Sequence, residues 1–136
     1  MIINFFKGHA NGNDFIFFYK NDFPKKYLTP SIIQNICSRH TGIGADGMFI
    51  ITKSKDYDFK LDYYNCDGSW ETFCANGSRC AVQLMYSENL IHKKSKFLTG
   101  SGVFFAKIYN HPIVSLKINN IKYKTKKIDI DGYKGF

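Results

Sequence analysis

Apolar residues fall along this chain in short, dense runs separated by Gly, Asn and Asp. IINFFK (2–7) and DFIFFYK (14–20) are rich in Ile, Phe and Tyr, and predict two strands joined by the Gly/Asn turn GHANGN. Thr29-Pro30 offers an N-cap followed by Pro at the first helical position. The helix that follows, SIIQNICSRH (31–40), sets Ile32, Ile33 and Ile36 on one face and closes with Arg39 and His40, cations suited to a helix C-terminus. Gly-rich TGIGADG (41–47) leads into MFII (48–51), a buried strand, and DFKLDYYN (58–65) alternates as another strand does. From Cys74 to about Leu90 a second helix is expected. Ala81, Val82, Leu84, Met85 and Leu90 cover much of its circumference, which predicts burial on most sides. KFLT (96–99), GVFFAKIY (102–109), IVSLKIN (113–119) and IKYKTKKIDI (121–130) predict a strand-rich remainder. The whole reads as α+β, with about seven or eight strands and two helices.

Composition narrows the setting. The 136 residues are 44% hydrophobic and 22% charged, enough for one packed domain (1–136) or for one half of a two-domain protein. The net charge of +8 suggests a polyanionic partner until it is located along the chain. Residues 1–92 hold nine Lys/Arg and nine Asp/Glu, so the excess lies wholly in residues 93–136, with ten Lys and two Asp. Arg, the residue base-specific readers favour, does not occur there, and the lysines read as solvated strand faces; no nucleic-acid partner is expected. No window approaches the ~20 apolar residues of a membrane-spanning helix, and no signal peptide is evident. The four cysteines, Cys37, Cys66, Cys74 and Cys80, are therefore expected as thiols in the cytoplasm. None lies in a C-x-x-C pair, so no metal is expected.

Three segments are unlike ordinary core or surface: HANGNDF (9–15), GIGADG (42–47) and NCDGSWETFCANGSRC (65–80). Each sets Gly, Asn and Asp beside a strand end, where function is often mounted on a rigid scaffold. The third places Cys74 just ahead of the turn that opens the buried helix. A thiol there sits at the positive end of the helix dipole beside unpaired N–H groups, which favour a thiolate and can hold a ligand carboxylate. GIGADG lacks the Lys-Ser/Thr of a phosphate loop and is expected to serve as a turn. His9 is expected as a hydrogen-bonded structural residue, and Cys37, Cys66 and Cys80 as small hydrophobes.

In this order and spacing, the three segments resemble the N-terminal half of diaminopimelate epimerase, whose segments read close to H-G-x-G-N-D-F, G-I-G-x-D, N-A-D-G-S and C-G-N-G-x-R-C. FLTGSGVFFAKI resembles that family's strand with a T-x-x-G turn, and the likeness runs from about residue 5 to about residue 120. The resemblance implies an antiparallel, barrel-like sheet wrapped around a central helix. It also implies cofactor-independent inversion at the α-carbon of diaminopimelate, one cysteine removing the proton and a second returning one. Cys74 matches one of these catalytic cysteines. Asn13 and Asn65 match side chains that hold the substrate, and Ala75 and Asn76 match positions whose backbone N–H groups bind its carboxylate. Ala75 stands where the family has Gly, Cys66 where it has Ala, and Asn11 where it has a hydrophobic residue.

The family's protein is about twice this length, and its other half supplies the opposing cysteine in a Gly/Thr-rich turn with no counterpart here. Cys80, six residues beyond Cys74, would sit ~9 Å along and ~120° around a helix, too far displaced to face it across one carbon atom. The expected partners are thus diaminopimelate, the missing C-terminal lobe in cis or in trans, and a second copy in a homodimer. A remnant of the fold without turnover is the alternative, and a basic nucleic-acid-binding module a more distant one.

Overall fold

The computed structural model describes residues 1–110 and 113–118, with the backbone of 128–130 and 133–135. Strands β1 (Phe6–Ala10) and β2 (Asn13–Tyr19) form a hairpin; helix α1 (Pro30–Cys37) and strand β3 (Gly47–Thr52) follow. Next come β4 (Phe59–Asn65), the two-residue β5 (Trp70–Glu71), helix α2 (Ala75–Ser87), β6 (Lys94–Thr99), β7 (Gly102–Ile108) and β8 (Val114–Lys117). One sheet runs in the order β1-β2-β3-β4-β6-β7-β8, with β5 beside β4. Further on, β9 (Ile128–Ile130) pairs with β10 (Tyr133–Gly135); the expected strand residues 121–127 lie outside the described residues.

The architecture is the expected α+β, a curled sheet against a central helix, but the sheet is mixed. Pairs β2/β3 and β4/β6 are parallel and the rest antiparallel. The cause is local. A parallel neighbour needs a crossover rather than a hairpin, and α1 and α2 each lie within one of these two connections.

Alternation along β2 and β3 explains why both are apolar throughout. Phe15, Phe17, Phe49 and Ile51 face one cluster with Ala81, Val82 and Met85 of α2. Ile16, Phe18, Met48 and Ile50 face the other with Ile33 and Cys37 of α1. The sheet is sandwiched, so neither strand has a wet face. Each fully buried Phe contributes about 1.5–3 kcal/mol over its exposed state. No residue of α2 from Ala75 to Tyr86 is exposed, as its sequence pattern predicts. Gly77 lets Phe49 close against this helix: a Cβ there would fall 2.1 Å from the ring. The helix stops at Ser87, where Asn89 turns left-handed with φ 58, and Leu90 is exposed rather than buried.

The first hairpin is tighter than the sequence suggests. Asn11 (φ 55) and Gly12 (φ 84) alone make the turn, so Gly8, His9 and Ala10 join the ladder opposite Phe15, Asp14 and Asn13. Two consecutive left-handed residues fit a two-residue hairpin, and Asn tolerates that conformation well, which accounts for Asn11.

Helix α1 starts as predicted, with Thr29 Oγ1 accepting from the Ile32 N–H at 3.4 Å, yet it ends at Cys37. The loop after it doubles back: Gly42, Gly44 and Ala45 donate to the carbonyls of Ser38, Ile36 and Cys37 at 3.0–3.1 Å. Gly42 is forced by this return, since a Cβ would lie 1.9 Å from the Asn35 carbonyl oxygen. GIGADG thus serves as a turn, and Arg39 is released from the helix end where the sequence pattern had placed it.

Candidate functional site

Strand register brings distant residues to one end of the sheet. Parallel β2 and β3 align Phe15 with Gly47, and antiparallel β4 sets Asn65 opposite Gly47. Asn13 at the start of β2, Asp46 just before β3 and Asn65 at the end of β4 therefore share that edge. Asn76, in the first turn of α2, reaches the same edge: its Nδ2 donates to Asn13 Oδ1 at 3.1 Å, across 63 positions of sequence.

Cys74 is the N-cap of α2, with extended backbone (φ −141, ψ 115), and its side chain makes no capping hydrogen bond. The first intrahelical bond runs from the Ser78 N–H to the Cys74 carbonyl at 2.9 Å. Ala75, Asn76 and Gly77 thus hold the first-turn N–H groups that have no partner within a helix. Ala75 is the first helical residue, with no positive φ, so its side chain brings no backbone strain. The thiol of Cys74 is half-buried and packs against the α2-side core.

Around Cys74 and the asparagines lies a polar framework that residue-by-residue reading of the sequence does not reveal. Asp46 Oδ2 accepts from Asn13 Nδ2 at 2.7 Å and from the Asp14 N–H at 3.2 Å. Asp14 accepts from both Arg39 nitrogens, at 2.8 and 3.2 Å, and Arg39 donates further to Asp46 Oδ1 at 2.9 Å. Lys7 adds an ion pair to Asp14 at 3.3 Å. The Arg39 hydrogen bonds, outweighing desolvation, hold the Asp14 carboxyl well below the usual carboxylate range. On the far side Arg79 donates to Asn76 Oδ1. Asn65 is held separately, accepting from the Tyr63 hydroxyl at 2.5 Å and donating to Glu71 at 3.3 Å. Burial pushes the Tyr63 phenol up to about 12, so its hydroxyl stays protonated and remains a donor. Asp46 and Arg79 stand in GIGADG and NGSRC; Arg39 and Tyr63 lie in segments whose local pattern speaks only of helix and strand.

His9 is structural as expected, its Nδ1 accepting from the Gly12 N–H at 3.3 Å. Cys80 lies along α2 beside a cleft of about 580 Å³ lined also by Phe6, His9, Arg79 and Gln83. Burial raises its thiol to about 11, and likewise that of Cys37. Cys66 is exposed. Among the described residues no group of three or more His, Cys, Asp or Glu is placed to hold a metal, and no helix is long and apolar enough to cross a membrane.

The fold is shared with solved structures whose sequences differ widely from this one. It matches methylitaconate-delta-isomerase with a TM-score of 0.65 at 18% identity, over 98% of this chain and 39% of that one. It matches a PhzF-family phenazine biosynthesis protein of Bacillus anthracis with a TM-score of 0.63 at 15% identity, over 81% and 37%. Sequence is more specific: residues 5–119 match the family model described as diaminopimelate epimerase, and the chain belongs to that family. It is 38% identical over 119 residues to the diaminopimelate epimerase of Flavobacterium psychrophilum, covering 86% of this chain and 46% of the relative. To that of Alkaliphilus metalliredigens it is 34% identical over 131 residues, covering 96% and 46%. The chain spans just under half the length of these relatives.

Proposed function

We propose that this chain is one half of a cofactor-independent amino-acid epimerase acting on diaminopimelate, with Cys74 as one of its two proton-transferring thiols. The observation that carries the reading is the open cap of α2: an uncommitted thiol at the head of a buried helix, beside first-turn N–H groups and the paired amides of Asn13 and Asn76. In one direction the Cys74 thiolate takes the α-proton, and the C–H electron pair moves toward the adjacent carboxylate. The N–H groups of Ala75 and Asn76 meet the negative charge that grows there, helped by the helix dipole. A second thiol then returns a proton to the opposite face, leaving the configuration inverted. In the reverse direction Cys74 is the acid. Asn13 and Asn65 hold the remaining polar groups of the substrate without adding charge.

The opposing thiol is assigned to a complementary half, in cis or in trans, and the isolated chain is expected to be inactive. The test is deuterium incorporation at the α-carbon of diaminopimelate in D2O, followed by NMR. The chain is assayed alone and mixed with the C-terminal half of the Flavobacterium psychrophilum relative. Exchange that needs both halves and is lost in Cys74→Ser supports the reading. Exchange unchanged by Cys74→Ser removes Cys74 from the reaction.

A further inference from the structure

We infer that Asp46 and Arg79 are positioning residues that lock the direction of two side-chain amides, Asn13 and Asn76, so that each presents a fixed donor and a fixed acceptor to the ligand. An asparagine amide is nearly symmetric in shape but not in chemistry, one end donating and the other accepting. Its direction is set only by neighbours that cannot do both. Asp46 is such a neighbour: a carboxylate accepts and does not donate, so the NH2 end of Asn13 must turn toward it, as it does at 2.7 Å. The oxygen of Asn13 then faces Asn76, whose NH2 end must answer it, at 3.1 Å. That turns the Asn76 oxygen toward Arg79, whose guanidinium only donates. The two amides are held head to tail between an acceptor-only group and a donor-only group, and reversing either one would set like ends against each other.

The ends of this series are themselves anchored. Asp46 is held through Oδ1 by Arg39 at 2.9 Å, and its own N–H donates to Asp14 Oδ1 at 3.1 Å. Arg79 lies one helical turn beyond Asn76 on α2. After these bonds Asn13 and Asn76 each keep one N–H and one oxygen lone pair. Their placement is therefore decided by Asp46 and Arg79, neither of which needs to touch the ligand. The consequence for ligand recognition rests on the reading that Asn13 and Asn76 face the substrate; the lock itself does not.

The test uses the full chain, 15N-labelled, and follows the side-chain NH2 resonances of Asn13 and Asn76. The parent is expected to show one well-separated proton pair for each amide. Asp46→Asn, which can both donate and accept, and Arg79→Gln, which can too, are expected to move these pairs toward the positions of a free asparagine side chain, or to double them, while leaving the backbone spectrum in place. Arg79→Lys, still donor-only, is expected to restore the parent pattern, a rescue that a merely structural role would not produce. If Asp46→Asn loses its fold, the Arg79 pair decides alone. Parent-like amide pairs in Arg79→Gln, or an Arg79→Lys spectrum no different from that of a disordered Arg79→Gln, overturn the lock. Amides that respond to the variants but not to diaminopimelate added together with the complementary half sustain the lock and overturn only the substrate reading.

Discussion

Asp14 and Arg39, 25 positions apart, meet through two hydrogen bonds of 2.8 and 3.2 Å, and this pair ties the start of β2 to the loop that follows α1. Arg39 first, then Asp46 and Lys7, lower the Asp14 carboxyl below its unfolded value of about 4. A depressed folded value means stability that is fully present above about pH 4 and is lost as pH falls through the acid range. Arg39 is solvent-exposed, so screening keeps the effect modest. Arg39→Gln is expected to melt below the parent at pH 7, with the gap closing between about pH 4 and pH 2. A gap that does not change over that interval would show that the ion pair is not the source.

Gly77 pits two effects against each other. In an exposed helix interior Gly→Ala gains about 1 kcal/mol. Here the new Cβ would come within 2.1 Å of two carbons of the Phe49 ring, which stacks in turn on Phe17 and Tyr63. Overpacking of a rigid core costs about 1–3 kcal/mol or more and should win. Gly77→Ala is expected to lower the urea midpoint, and pairing it with Phe49→Leu should recover part of the loss.

Three of the four thiols should separate by rate. Cys66 is exposed, whereas burial raises Cys37 and Cys80 to about 11. At pH 8 iodoacetamide is expected to modify Cys66 well before either of those two, as mass spectrometry of digested protein will show. Because their folded values lie above the unfolded value of about 8.5, folding stability should fall as pH rises from about 8.5 toward 11. Rates for Cys37 and Cys80 equal to that of Cys66 at pH 8 would contradict the burial.

Much of this molecule can be read from local pattern, and the remainder cannot for a definable reason. Thr29-Pro30 opens α1, and the stretch after Cys74 forms the buried helix, because caps and apolar periodicity are properties of neighbouring residues. The α+β class and the membership signalled by HANGNDF, GIGADG and CANGSRC were legible in the same way. The partners of the asparagines were not. Arg39 looks like a cation closing a helix, and only the return of Gly42 and Gly44 over the end of α1 frees it for Asp14 and Asp46. Tyr63 looks like one more apolar position in an alternating strand, yet its hydroxyl fixes Asn65. Which side chains meet at the sheet edge depends on the parallel β2/β3 register, a long-range relationship that no local pattern carries.

Cys74 sets stability against the chemistry proposed for it. An N-cap position favours Ser strongly, because a side-chain oxygen can accept from the second or third N–H of the helix, and a good cap contributes about 0.5–2 kcal/mol. Cys74 occupies the cap of α2 with the required extended backbone and makes no such bond. A structural thiol at this point would be a poor choice, since one atom exchange supplies the missing acceptor. Cys74→Ser is therefore expected to raise stability by about 0.5–1 kcal/mol, seen as a higher urea midpoint with an unchanged slope. The same variant, combined with the complementary half, is expected to lose α-proton exchange on diaminopimelate, because a hydroxyl is a far weaker acid than a thiol and forms too little alkoxide to take the proton. A Cys74→Ser chain that is less stable than the parent and still exchanges the proton would identify Cys74 as a packing residue. A chain that is more stable and inert would mean that the helix keeps its weaker cap for the sake of the reaction.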